Sequence, residues 1–274
     1  MQKLVLLAIL LSLAGSAQAG TPAAVDIPTD DKPLQAVVYR PEGVGPFPAI
    51  IALHDCDGLR GRTGRVRIAN EDWGQRLSGA GFVVLFPDSH ASRGIAQQCS
   101  IKAKKIRPDR ERVADARAAR DWLQRQDFVR KDRISLLGWG NGGIAALSAA
   151  RPSLEPDDDR PDFRSAVALY PGCRRLGDTA WSSRVPTLIL IGALDNWTPA
   201  KHCEDMVRNA RGRSAQVVIV KYRGAHHAFD HDNVPVKYRR KVAFAPDAPG
   251  RVTVGTNAEA RADALKRVPQ WLSR

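Results

Sequence analysis

The sequence predicts one α/β domain on a mostly parallel, doubly wound sheet, and three observations predict it. Short apolar runs rich in Val, Ile and Leu recur along the 274 residues, with helix-prone segments between them. Several runs are apolar throughout rather than alternating, as strands covered on both faces are. Finally, "LLGWGNGG" (136–143) joins an apolar run to a helix-prone one through a Gly-rich turn, the strand–turn–helix passage at which such sheets place their chemistry.

The elements follow in order. "MQKLVLLAILLSLAGSAQA" has an early Lys3, an apolar stretch over 4–13 that is too short to span a bilayer, and the small residues Ala17 and Ala19. Residues 1–19 therefore read as a signal peptide. The domain is expected over 20–274, from a chain secreted after cleavage near Ala19 and destined for the periplasm. Strands are expected at "QAVVYR", "FPAIIALH", "GFVVLFPD", "RISLLG", "SAVALYPG", "PTLILIGALD" and "AQVVIVKYRG". The intervening helices are "ANEDWGQRLSGA", with Asn70 as its cap, "DRERVADARAARDWLQRQ", "GGIAALSAA" and "AKHCEDMVRNA". "NAEARADALKRVPQWLSR" closes the chain as a last helix. Two excursions break the alternation: a Pro- and Asp-rich loop, "RPSLEPDDDRPDFR", and "HDNVPVKYRRKVAFAPDAPGRVTVGT", long enough to cover part of a site.

Charge and cysteines narrow the function. The net charge of +13 suits acidic ligands or an anionic envelope surface. In the densest basic stretch, 102–133, acids recur at helical spacing, which describes a solvated helix face rather than a nucleic-acid site. No nucleic-acid motif accompanies it, and no second segment can cross a membrane. Four cysteines, Cys56, Cys99, Cys173 and Cys203, favour disulfides in an exported chain; their spacing suits no zinc site and leaves three pairings open.

Ligands of open α/β sheets bind beyond the carboxyl ends of the strands. Three of those ends carry usable groups: "AIIALHDCDGL" ends in His54, Asp55 and Cys56, "LILIGALDNWTPA" in Asp195, and "VIVKYRGAHHAFD" in His226 and His227. A fourth supplies the turn Gly138-Trp139-Gly140-Asn141-Gly142, whose central position holds Gly140 where Ser or Cys would act. Turn, then acid, then His is the chain order of α/β-hydrolases.

On these residues the chain resembles the dienelactone hydrolase family, with the α/β-hydrolase fold that this implies. "HDCDGL", "GFVVLFPDSHASRG", "GWGNGG", "LDNWTP", "YRGAHHAFD" and "GTNAEARADALKRV" carry the likeness over nearly all of the mature chain. The resemblance implies a base at His227, an acid at Asp195, oxyanion donors in the backbone N–H groups of Asn141 and Cys56, and Asp55 as the acid beside the nucleophile. It places the nucleophile at Gly140, where covalent triad chemistry has no atom to use. It further implies a small ester or lactone substrate that can carry a carboxylate, with Arg93 to hold it. Trp139 and Trp197 flank the turn and the acid as candidate pocket residues. No cofactor is implied.

Gly140 is the easiest residue for a strained turn and the worst for attack. A water activated by His227 and Asp55 above Gly140 is one route around the missing nucleophile; a displaced Cys56 is another. Cys56 and Cys99 follow strands at one sheet edge, as do Cys173 and Cys203, so pairing within each couple is expected, and a bridged Cys56 cannot attack. "HHAFDHD" offers His226, His227, Asp230, His231 and Asp232 as metal ligands, yet a base with capping neighbours accounts for the loop, and no metal is expected. Two functions stand: a weak or water-based hydrolase of small esters or lactones, and an impaired pseudo-hydrolase that binds a small ligand in the same crevice.

Overall fold

The structure is a computed structural model that describes residues 20–152, 160–245 and 250–274. Residues 1–19, read as a signal peptide, and the centre of the Pro- and Asp-rich loop lie outside the described residues. Eight strands form the sheet: β1 (Ala23–Ile27), β2 (Leu34–Tyr39), β3 (Phe47–Leu53), β4 (Val83–Pro87), β5 (Val129–Trp139), β6 (Ala166–Leu169), β7 (Thr187–Gly192) and β8 (Val217–Tyr222). Their order is β1-β2-β4-β3-β5-β6-β7-β8. β1 and β2 run antiparallel at one edge, and every pairing from β4 to β8 is parallel. This is the expected doubly wound sheet in a single domain, lengthened by β1, whose "AAVDI" is too polar and short to stand out in the sequence.

The apolar runs are buried on both sides because alternate residues face opposite helical layers. Ile50 and Ala52 of β3, Val84 and Phe86 of β4 and Leu137 of β5 join one core cluster, which holds Trp73 and Leu77 of α1 (Ile68–Gly79). The same cluster takes Cys203 and Met206 of α5 (Ala200–Asn209) and Ala264, Val268 and Trp271 of α6 (Ala258–Leu272). Ile51, Leu53, Val83, Leu85 and Leu136 face the other way, onto Ala116, Ala119 and Leu123 of α2 (Glu111–Gln124) and Ala145, Ala146 and Ala149 of α3 (Asn141–Ala149). A short α4 (Arg174–Gly177) packs beside α5.

Local chemistry corrects one helix start. Helix α1 begins at Ile68, so Asn70 lies inside it and donates from Nδ2 to Leu59 O at 3.4 Å instead of capping. The cap rule does hold at α6, where the Asn257 side chain accepts from Ala260 N at 3.0 Å.

Both expected disulfides are present, Cys56–Cys99 and Cys173–Cys203. They close loops of 43 and 30 residues, each worth about 3.5–4 kcal/mol in the chain-entropy picture. The long excursion after residue 231 forms a hairpin, β9 (Lys237–Arg239) with β10 (Val252–Val254), at the carboxyl edge of the sheet. It is fastened there by a Val254–His227 bridge and by Ala243 N donating to Cys99 O at 2.8 Å.

Candidate active site

The turn after β5 is as tight as its sequence demands. Gly140 sits at φ 48°, ψ −107°, a backbone region hostile to side chains. Two residues on, a Cβ at Gly142 would stand 1.8 Å from Leu53 O, so only glycine lets α3 start against the end of β3. The turn thus delivers the Asn141 N–H to the carboxyl edge, beside the end of β3.

His227 and Asp195, the expected base and orienting acid, follow β8 and β7. His227 Nδ1 lies 2.8 Å from Asp195 Oδ2. Asp195 is itself fixed: Oδ1 accepts from Trp197 N at 2.9 Å and Thr198 N at 2.8 Å, and Oδ2 accepts from Thr198 Oγ1 at 2.8 Å. The rings of Tyr170 and Trp197 pack against the imidazole, with centroids 4.5 and 4.7 Å away. Its Nδ1 is thereby engaged, which leaves Nε2 as the atom that can take a proton.

Burial by itself would lower the His227 pKa; the Asp195 carboxylate and the charge of Asp55 overcome it and hold the imidazole above its ordinary 6.5. A raised pKa keeps the imidazole protonated, and unable to accept a proton, to higher pH. Any hydrolysis that uses His227 as base is therefore expected to rise with pH through a midpoint above 6.5, and Asp195→Asn is expected to move that midpoint down. A kcat/KM profile with its acid limb below 6.5 in the wild type would contradict this.

The sequence suggested an activated water in the space above Gly140. Asp55, at the end of β3, fills it. Asp55 Oδ1 accepts from Asn141 N at 2.7 Å. A Cβ built on residue 140 would lie 2.3 Å from Oδ1, 2.6 Å from Cγ and 2.8 Å from Oδ2. The carboxylate thus fills the space that a side chain at 140 would need and holds the Asn141 N–H, one of the two expected oxyanion donors. Cys56, the other, is locked in its disulfide, and its carbonyl accepts from Gln98 N at 2.8 Å, so its sulfur has no thiolate to offer.

Two assignments need correction. Arg93 is committed elsewhere: Nη1 and Nη2 pair with the Asp115 carboxylate at 3.0 and 2.7 Å, and Nη1 also reaches Ser89 O. Such a two-point pair leaves the guanidinium little to offer a substrate carboxylate. Trp139 is a core residue, 4% exposed, stacked near Phe86 and donating from Nε1 to Asp230 Oδ2 at 3.0 Å. Trp197 does stand at the site, half-buried beside His227, with Nε1 donating to Ala243 O of the excursion at 3.0 Å.

The other polar residues of "HHAFDHD" diverge. His226 Nδ1 meets Leu194 O at 3.1 Å, Asp232 pairs with Arg261 at 3.2 Å, and Asp230 accepts from Trp73, Trp139 and Tyr170. Sequence reasoning missed Thr198, Tyr170 and Arg239. Thr198 was legible, since a Thr three residues after an Asp commonly closes a side-chain turn. Arg239 was not: it sits on the hairpin, forms a two-point pair with Asp57 at 2.6 and 2.7 Å, and lies 5.1 Å from the Trp197 ring centroid. That pair holds the Asp57 carboxyl below its ordinary value despite burial, and it ties the hairpin to the loop after β3.

The site thus joins a fixed His–Asp pair to a tight turn, in the chain order and fold expected of a hydrolase. Comparison with known proteins decides the family: the dienelactone hydrolase family profile matches residues 34–274. The chain belongs to that family. A Bradyrhizobium protein named "Probable 2-oxo-3-(5-oxofuran-2-ylidene)propanoate lactonase" is 28% identical over 230 residues, covering 78% of this chain and 86% of its own. A Yersinia pestis protein named "Putative carboxymethylenebutenolidase" is 28% identical over 228 residues, 76% of this chain and 79% of that one. Among solved structures, the dienelactone hydrolase of Anabaena variabilis superposes with a TM-score of 0.63 at 16% identity, covering 94% of this chain and 98% of its own; at that identity the likeness concerns the fold. These relatives support a hydrolase of the ester or lactone type.

Proposed function

We propose that this chain is an exported hydrolase of small esters or lactones that works without a side-chain nucleophile at position 140. The observation that carries the reading is the His227–Asp195 pair, 2.8 Å apart and buried, near enough to Asp55 at the turn to feel its charge. An imidazole so held takes a proton from water at Nε2, and Asp195 stabilises the imidazolium. For an ester the Asn141 N–H must be released by Asp55, after which it and the Cys56 N–H face a developing oxyanion. Family membership supports the substrate class, and two disulfides are consistent with an extracellular or periplasmic location.

Hydrolysis of phenyl acetate and a small γ-lactone tests this. The wild type is expected to exceed buffer, and His227→Ala to lose about 10²–10⁴-fold of that rate, the usual worth of a placed general base. A wild type equal to buffer would sink the reading. It would favour the second one, a binding protein without turnover, for which the Asp55 carboxylate seated on the Asn141 N–H speaks directly.

A further inference from the structure

We infer that Asp55 is itself a nucleophile, displacing the leaving group of small primary alkyl electrophiles such as α-halo acids to give an aspartyl ester that His227 then helps to hydrolyse. This activity shares the His227–Asp195 pair with the hydrolysis proposed above but goes beyond it, in substrate and in the bond broken.

The geometry carries the argument. The Asp55 carboxylate stands where a residue-140 nucleophile would be, with Oδ1 on the Asn141 N–H and Oδ2 without a hydrogen-bond partner among the described residues. Attack on an ester carbonyl from this position is poorly served, because Asp55 itself holds the donor that the substrate oxygen needs. It would also give a mixed anhydride, a high-energy acyl donor. Attack on a saturated carbon has neither handicap, since no oxyanion forms on the substrate.

In the first step an Oδ2 lone pair forms a bond to the carbon, the carbon–halogen bond breaks, and the halide leaves with its electron pair. In the second, water adds to Asp55 Cγ as His227 Nε2 takes its proton. Negative charge then develops on Oδ1, where the Asn141 N–H already points at 2.7 Å. Collapse expels the alkoxide bearing the former Oδ2, which recovers the proton from His227. Asp55 is left as a carboxylate holding one oxygen from water, with a proton released to solvent. The contact that blocks ester chemistry is thus the oxyanion contact for hydrolysis of an ester on Asp55 itself. Lys104 and Arg112 lie near enough to feel the Asp55 charge, and their field eases the approach of a small anion and the departure of a halide.

Chloroacetate in ¹⁸O-labelled water, with enzyme in excess for a single turnover, tests the inference. The expected result is chloride release, unlabelled glycolate, and ¹⁸O in the peptide that contains Asp55. His227→Gln is expected to accumulate a carboxymethyl ester on Asp55, seen by mass spectrometry, and Asp55→Asn to form no adduct. Labelled glycolate with unlabelled Asp55 would mean direct attack by water and would overturn the inference. So would the absence of glycolate from the wild type. Phenyl acetate hydrolysis by the same preparation reports separately on the ester reading, so either can fail alone.

Discussion

Gly140→Ser by itself is expected to give no gain in ester hydrolysis, although it returns a hydroxyl to the turn. The new Cβ would come within 2.3 Å of Asp55 Oδ1, and the residue would have to hold a positive φ, a strain of about 1–3 kcal/mol. The single variant should be less stable and no faster. Removing the obstruction changes the outcome. Gly140→Ser combined with Asp55→Ala is expected to exceed the wild type on phenyl acetate by at least about 10²-fold, because it rebuilds a Ser–His–Asp unit with a freed Asn141 N–H. With Asp55→Ala alone as the fourth member, these proteins form a double-mutant cycle, and strong positive coupling between positions 55 and 140 is the expected signature. Equal gains from the single and double variants would show that Asp55 does not hold the seat.

Asp230→Ala is expected to be the most damaging single change to stability described here. Its carboxylate is 1% exposed and accepts from Trp73 Nε1 at 2.8 Å, Trp139 Nε1 at 3.0 Å and Tyr170 OH at 2.7 Å. These donors come from α1, the end of β5 and the end of β6, so one acid ties three parts of the core to the loop that carries His227. Truncation leaves three buried donors unpaired and opens a cavity, at a cost of roughly 3–5 kcal/mol. Asp230→Asn keeps an acceptor and should cost less. Urea unfolding of both variants checks the order; an alanine variant within about 1 kcal/mol of the wild type would mean that the hub is dispensable.

The sheet was legible because strands buried on both faces have to be apolar at nearly every position, and β3, β4, β7 and the second half of β5 (134–139) are. β1, β9 and β10 were not, since edge strands and short hairpins carry no such demand. The pair His227–Asp195 was legible for a similar reason: strand ends of a parallel sheet converge on one edge whatever the helices between them do. Asp230 was read as a neighbour on a polar loop, because nothing in "HHAFDHD" says which carboxylate turns inward.

What the sequence by itself determined was the fold, the chain order of turn, acid and base, and the absence of a side chain at position 140. Each follows from local composition and the one-dimensional order of elements. Only the tertiary structure decided what stands in place of that side chain, because Asp55 and Gly140 are far apart in the chain and meet where β3 and β5 pair side by side. It likewise took Arg93 away from the substrate and set Arg239 beside Trp197. The physical reason is common to all three. A charged side chain goes to the nearest partner that satisfies it, and for these residues that partner lies on another element.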